Sequence, residues 1–193
     1  MERRAVVNRK TRETDIALEL NLDGSGKYEI DTGIGFFDHM LEAFAVHGGL
    51  GLTLKAEGDL RVDGHHTVED TGIVLGKALA DALGNKEGTA RFGSFTLPMD
   101  EALAFAAVDI SGRPYLVFEA AFAQERIGDY DSCLTGEFFR AMAFNAGITL
   151  HLRALYGDNA HHVTEALFKA AAHALRLAVV PRDGILSTKG SLD

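Results

Sequence analysis

The chain has 193 residues, 47% apolar and 24% charged, enough to bury a domain-sized core and too apolar to stay disordered. A net charge of −9 disfavours broad contact with nucleic acid or anionic membrane, and a lone cysteine, Cys133, excludes an intramolecular disulfide framework and a cysteine-rich zinc site. The N-terminus lacks a signal-peptide run and the longest apolar stretch, 102–108, is too short to span a membrane, so the expected place is the cytoplasm, or a plastid if a transit peptide has been removed.

In chain order, the charged run 9–13 reads as a solvated strand edge. Ile16, Leu18, Leu20 and Leu22 alternate with Ala17, Glu19 and Asn21, which predicts a half-buried strand. The turn Asp23-Gly24-Ser25-Gly26 leads to a short strand at 27–30, so these two strands are expected to form a hairpin. Residues 36–46 read as a helix with Phe37, Met40, Leu41 and Phe44 on one face, stopped by Gly48-Gly49. A strand at 50–56 and a long helix at 67–83 follow. The rest of the chain reads as strands near 92–97, 101–110 and 115–119, a helix near 134–146, a strand near 148–155 and a helix near 162–179.

That order is a duplication. Asp23-Gly24-Ser25-Gly26 recurs as Asp109-Ile110-Ser111-Gly112, Leu54-Lys55-Ala56 as Leu152-Arg153-Ala154, and His65-His66-Thr67-Val68-Glu69 as His161-His162-Val163-Thr164-Glu165. Each half is strand–strand–strand–helix–strand–helix. The predicted fold is α+β: two half-repeats, 1–90 and 91–193, whose four-stranded sheets sandwich a layer of helices in one globular unit.

The repeated His-His-x-x-Glu carries the chemistry. At about 100° per residue, the first His and the Glu stand at i and i+4 on one face and can chelate one ion, while the second His diverges toward another. An exposed polar helix start would explain the Glu through the helix dipole, but not two equivalent imidazole pairs. The repeat also maps His39 onto Glu137. The candidate ligands are therefore His39, His65, His66 and Glu69 in one half, and Glu137, His161, His162 and Glu165 in the other. Imidazole mixed with carboxylate and no thiolate favours Mn²⁺, Fe²⁺ or Zn²⁺ over Ca²⁺. His151 is a rival ligand, but its place on a strand predicts a packed or hydrogen-bonded histidine, and His173 is expected to pack on its helix.

Among cations, Arg91, Arg113, Lys169 and the tail Ser187-Thr188-Lys189-Gly190 supply what a phosphate needs. Each alone reads as a solvated charge. Lys169 stands out because it lies one turn beyond Glu165. A binuclear hydrolase would use the same ligands, and a metal-storage shell would not need the cations.

Five stretches together resemble the imidazoleglycerol-phosphate dehydratase family. They are Gly35-Phe36-Phe37-Asp38-His39-Met40-Leu41, Gly64-His65-His66-Thr67-Val68-Glu69-Asp70-Thr71-Gly72, Pro98-Met99-Asp100-Glu101-Ala102, Asp109-Ile110-Ser111-Gly112-Arg113-Pro114-Tyr115, and the run from Asn159 to Lys169. The resemblance extends from about Arg4 to Gly190. It implies a lyase that removes water from imidazole-glycerol phosphate to give imidazole-acetol phosphate in histidine biosynthesis. It also implies two Mn²⁺ per active site and a homo-oligomer of 24 subunits with active sites between subunits. Implied substrate contacts are Glu13, His47, Arg91, Arg113, Lys169, Ser187 and Lys189, beside the ligands His39, His65, Glu69, His161 and Glu165. Glu13 is the lead acid–base candidate, with His47 and Asp100 as helpers. Some members have His where this chain has Glu137. The proton lost in this reaction sits on a carbon with no neighbouring carbonyl, so the imidazole ring must accept the electrons, and one ion per ring nitrogen would account for two motifs.

Overall fold

The structure is a computed structural model describing residues 3–188, 190 and 192. The first half holds β1 (Arg4–Lys10), β2 (Thr14–Asn21), β3 (Tyr28–Asp31), α1 (Gly35–Gly48), β4 (Gly51–Gly58) and α2 (His65–Leu83). The second holds β5 (Phe92–Met99), β6 (Ala102–Asp109), β7 (Tyr115–Glu119), β8 (Arg126–Ile127), β9 (Tyr130–Asp131), α3 (Leu134–Ala146), β10 (Thr149–Tyr156) and α4 (Ala160–Ala178). The sheets run β1-β2-β4-β3 and β5-β6-β10-β7, so the duplicated α+β architecture is present.

The expected hairpin between the strands at 16–22 and 27–30 does not form. β4 lies between β2 and β3, and β3 pairs with β4 in parallel. A parallel pair needs a crossover, and α1 supplies it; α3 does the same between β7 and β10. The segment after β2 packs instead on the start of β4, where a Cβ on Gly24 would meet the backbone of Leu50 and Gly51. The second half also carries a small β8–β9 hairpin before α3 that no periodicity announced. This segment, 120–133, accounts for the larger spacing of the later repeats.

Pairing register fixes which residues are equivalent. Leu18 opposes Leu54 in one sheet as Ala106 opposes Leu152 in the other. By that register Glu13, in the turn before β2, corresponds to Glu101, in the turn before β6.

Alternation buries Ile16, Leu18 and Leu20 on one sheet and Ala104, Ala106 and Val108 on the other. The helices lie between. α2 packs on its own sheet and on α3 of the other half, and α4 packs on its own sheet and on α1. Phe37 meets Phe138 and Phe168 edge to face, so the two halves share one aromatic core. The α2–α3 seam depends on Gly72 and Gly76. A Cβ there would stand 2.6 Å from the Phe138 carbonyl oxygen and 2.5 Å from that of Met142.

Candidate functional site

Both helices that carry a histidine pair have an Asx residue two places before it, at the N-cap of α4 and one residue before the Gly64 N-cap of α2. The Asp63 side chain accepts the His65 backbone N–H at 2.8 Å, and the Asn159 side chain accepts that of His161 at 2.9 Å. These Asx side chains satisfy N–H groups at the helix starts. They also fix the first turn, where the histidines stand.

Two groups of nitrogen and carboxylate donors converge, each with its ligand atoms within 4.8 Å of one another. His39 of α1 joins His161 and Glu165 of α4. Glu165 Oε2 lies 3.1 Å from His161 Nε2 and 3.9 Å from His39 Nε2. Glu137 of α3 joins His65 and Glu69 of α2, with His65 Nε2 3.7 Å from Glu69 Oε2. The i, i+4 pairing holds in both helices. Each group bridges the two halves, His39 of the first joining the second half's pair and Glu137 of the second joining the first half's. The reason is the packing order, because α1 lies on α4 and α3 on α2. Two imidazoles with a carboxylate in one group, and one imidazole with two carboxylates in the other, suit a borderline divalent ion.

A cation braces each group. Lys169 Nζ donates to Glu165 Oε1 at 2.6 Å. Arg140 spans the other, donating to Glu69 Oε1 at 3.2 Å and to Glu137 Oε2 through Nε at 3.0 Å. Burial works to raise the Glu165 carboxyl, but Lys169, with His39 and His161, outweighs it and holds the group below its ordinary range.

His66 and His162 turn away from both groups, as the helical geometry requires. His66 Nδ1 lies 3.1 Å from each oxygen of Asp59, and its Nε2 lies 3.9 Å from Glu13 Oε2. His162 Nδ1 lies 2.6 Å from Glu101 Oε2, and its Nε2 lies 3.5 Å from Asp100 Oδ2. The hydrogen bond to Asp59 raises His66, that to Glu101 raises His162, and His162 in turn draws Glu101 down to about 2. Glu13 and Asp100 thus face the outer nitrogens of the diverging histidines. Asp100 does so from a turn with a φ of 49°.

His47 lines a cavity of about 230 Å³ together with His39, Glu165 and Lys169. Its Nδ1 lies 3.0 Å from Nε2 of His173, whose ring stacks on Phe95 at 4.3 Å. His173 therefore packs as expected. Burial first, then Lys169 and His173, lower the pKa of His47. His151 is not the packed histidine expected of a strand. Leu150 and Leu152 take the inner face of β10, and alternation leaves His151 exposed.

The other cations lie elsewhere. Arg91 donates to Asp109 through Nε at 2.7 Å and through Nη2 at 3.3 Å, and Arg113 reaches the same carboxylate at 3.3 Å. Arg91 Nη1 also donates to the Leu186 carbonyl at 2.5 Å, beside Ser187. Lys189 lies outside the described residues. The Arg91 backbone N–H bonds the Ala178 carbonyl at the far end of α4 from His161. At 1.5 Å per residue that is about 25 Å. One chain therefore keeps Arg91 apart from its own His39, His161 and Glu165 group.

Asp59, Glu101, Asp109 and Arg140 escaped the reading of the sequence, because their partners are set by tertiary packing. The Asx residues two places before each histidine pair were a local signal that could have been read.

A family model described as imidazoleglycerol-phosphate dehydratase matches residues 32–175. The imidazoleglycerol-phosphate dehydratase of Acetivibrio thermocellus is 58% identical over 195 residues, covering 100% of both chains. That of Methylorubrum populi is 58% identical over 194 residues, covering 98% of this chain and 100% of its own. The crystal structure of imidazoleglycerol-phosphate dehydratase from Staphylococcus aureus superposes with a TM-score of 0.84 at 40% identity, covering 92% of this chain and 99% of that one. IGPD from Pyrococcus furiosus gives 0.84 at 40% identity, covering 96% and 100%.

Proposed function

The chain belongs to the imidazoleglycerol-phosphate dehydratase family, and we propose that its two histidine–glutamate groups are the metal centres at which the reaction runs. The activity is that of a lyase of histidine biosynthesis, which removes water from imidazole-glycerol phosphate and leaves imidazole-acetol phosphate. No helix among the described residues is long and apolar enough to cross a membrane. The hydrolase and storage readings give way to the family's activity.

The observation that carries the proposal is the convergence of three donors in each of two places, at the starts of duplicated helices. Two Mn²⁺ per active site would be held by His39, His161 and Glu165, by His65, Glu69 and Glu137, and by the diverging His66 and His162. When bound, they would supply Lewis acidity to the substrate ring, the electron sink this elimination needs.

The chain's own residues do the rest. Glu13 takes the carbon-bound proton and gives it to the departing hydroxyl, which leaves as water with His47 and Asp100 as helpers, and the enol left behind becomes the ketone. Arg91, Arg113, Lys169, Ser187 and Lys189 hold the phosphate. Two guanidiniums share the single carboxylate of Asp109, so that corner keeps a positive charge for an anion. Because Arg91 sits about 25 Å along α4 from His161, a site containing both draws them from different copies. That supports a homo-oligomer with active sites between subunits, of 24 subunits in our reading, working in the cytoplasm. The half-repeats 1–90 and 91–193 are its building units.

Ultraviolet detection of imidazole-acetol phosphate, with Mn²⁺ and after chelation, tests the reading. Product is expected with Mn²⁺ and none after chelation. Undiminished turnover in protein shown metal-free by elemental analysis would overturn it.

A further inference from the structure

In each half, the second histidine of the pair meets a carboxylate through Nδ1. His66 meets Asp59 at 3.1 Å to both oxygens, and His162 meets Glu101 at 2.6 Å. The two carboxylates are not equivalent by the duplication. Asp59 follows β4, whereas Glu101 sits in the turn before β6, where the first half has Glu13. One contact has thus been built from two different places in the fold. The first histidines differ: the carboxylates within 4 Å of His65 and His161 approach Nε2, and belong to their own donor groups.

An ionised carboxylate only accepts, so Nδ1 must carry the proton and Nε2 of a neutral ring is left with its lone pair. A carboxylate on the far nitrogen orients a metal-binding imidazole and strengthens it as a donor. We propose that Asp59 and Glu101 are positioning residues, each holding its histidine in the one tautomer whose Nε2 can bind a metal ion. This rests on the assignment of His66 and His162 as ligands.

The surroundings of the two carboxylates make the test selective. The Asp59 side chain bonds only His66 among the described residues, so an amide there can turn its oxygen toward Nδ1. Glu101 Oε1 also accepts the backbone N–H of Asn159 at 2.8 Å and of Asp158 at 3.2 Å. In Glu101→Gln the amide oxygen stays with those N–H groups, so the NH₂ faces His162 Nδ1 and imposes the opposite tautomer. The loop is kept while the metal-binding nitrogen becomes protonated.

Mn²⁺ titration followed by the electron paramagnetic resonance of the free ion, with the thermal midpoint of the metal-free protein, decides the matter. Asp59→Ala and Glu101→Gln are expected to weaken Mn²⁺ binding by about 10- to 100-fold at one class of site. Asp59→Asn should recover most of the affinity, and the metal-free midpoint of Glu101→Gln should match the unsubstituted protein. Unchanged Mn²⁺ binding in Asp59→Ala and Glu101→Gln, with loss in His66→Ala and His162→Ala, would overturn the positioning role and leave the ligand assignment standing. Full Mn²⁺ binding in His66→Ala and His162→Ala would overturn both. Equal loss in Asp59→Ala and Asp59→Asn, with a lowered metal-free midpoint in both, would show that Asp59 holds the loop and not the ring.

Discussion

Among the described residues Tyr130 is the largest fully buried side chain, and its hydroxyl meets Thr135 Oγ1 at 3.1 Å. Burial pushes its phenol above the ordinary value of 10.0, and the bond to Thr135 only partly opposes this. The folded state therefore keeps its proton where the unfolded chain would release it. The stability this contributes is complete below about pH 10 and falls as pH rises beyond it. Tyr130→Phe should cost about 1 kcal/mol near neutrality for the lost hydrogen bond, and should flatten the alkaline decline. Urea midpoints at pH 8 and pH 11 measure both, and an equal alkaline decline in the two proteins would contradict the assignment. Glu165 is the most buried of the candidate ligands, and it touches His39, His161 and Lys169. Glu165→Gln keeps its shape and removes its charge, so metal content by elemental analysis should fall. Full occupancy would remove it from the ligand set.

The helices carry the sharpest packing claim. In an isolated helix, Gly76→Ala would gain about 1 kcal/mol of propensity. Here the new methyl would stand 2.5 Å from the Met142 carbonyl oxygen and 2.8 Å from Asn145 Cβ, and overpacking of that kind typically costs 1–3 kcal/mol. The clash should win, lowering the thermal midpoint of the metal-free protein. A raised midpoint would mean that α2 and α3 do not approach as described.

At this scale the limits of the sequence are also plain. The i, i+4 pairs His65/Glu69 and His161/Glu165 were legible because helical spacing alone brings them together. The alternation from Ile16 to Leu22 marked β2 for the same local reason. The partner of β3 was not legible, since a parallel crossover through α1 leaves the same local pattern as a hairpin. Nor was the way His39 and Glu137 bridge the halves, which depends on α1 choosing α4 and α3 choosing α2. Asp59 and Glu101 lie 7 and 61 residues from the histidines they meet, and only the assembled sheets bring them there.

Over the whole molecule, the duplication places a donor group at the start of each long helix and leaves Arg91 and Arg113 near the far end of α4. An acidic chain of net charge −9 thereby keeps two guanidiniums on the one carboxylate of Asp109. If the site joins the metal groups of one copy to the arginines of another, a copy defective in one part can be completed by a copy defective in the other. Arg91→Ala and Glu165→Gln chains, each inactive alone, should regain dehydratase activity when dissociated, mixed equally and reassembled with Mn²⁺. Up to about one site in four would then hold both intact parts. Mixed assemblies, shown by mass spectrometry to contain both chains, that stay as inactive as either parent would contradict the shared site.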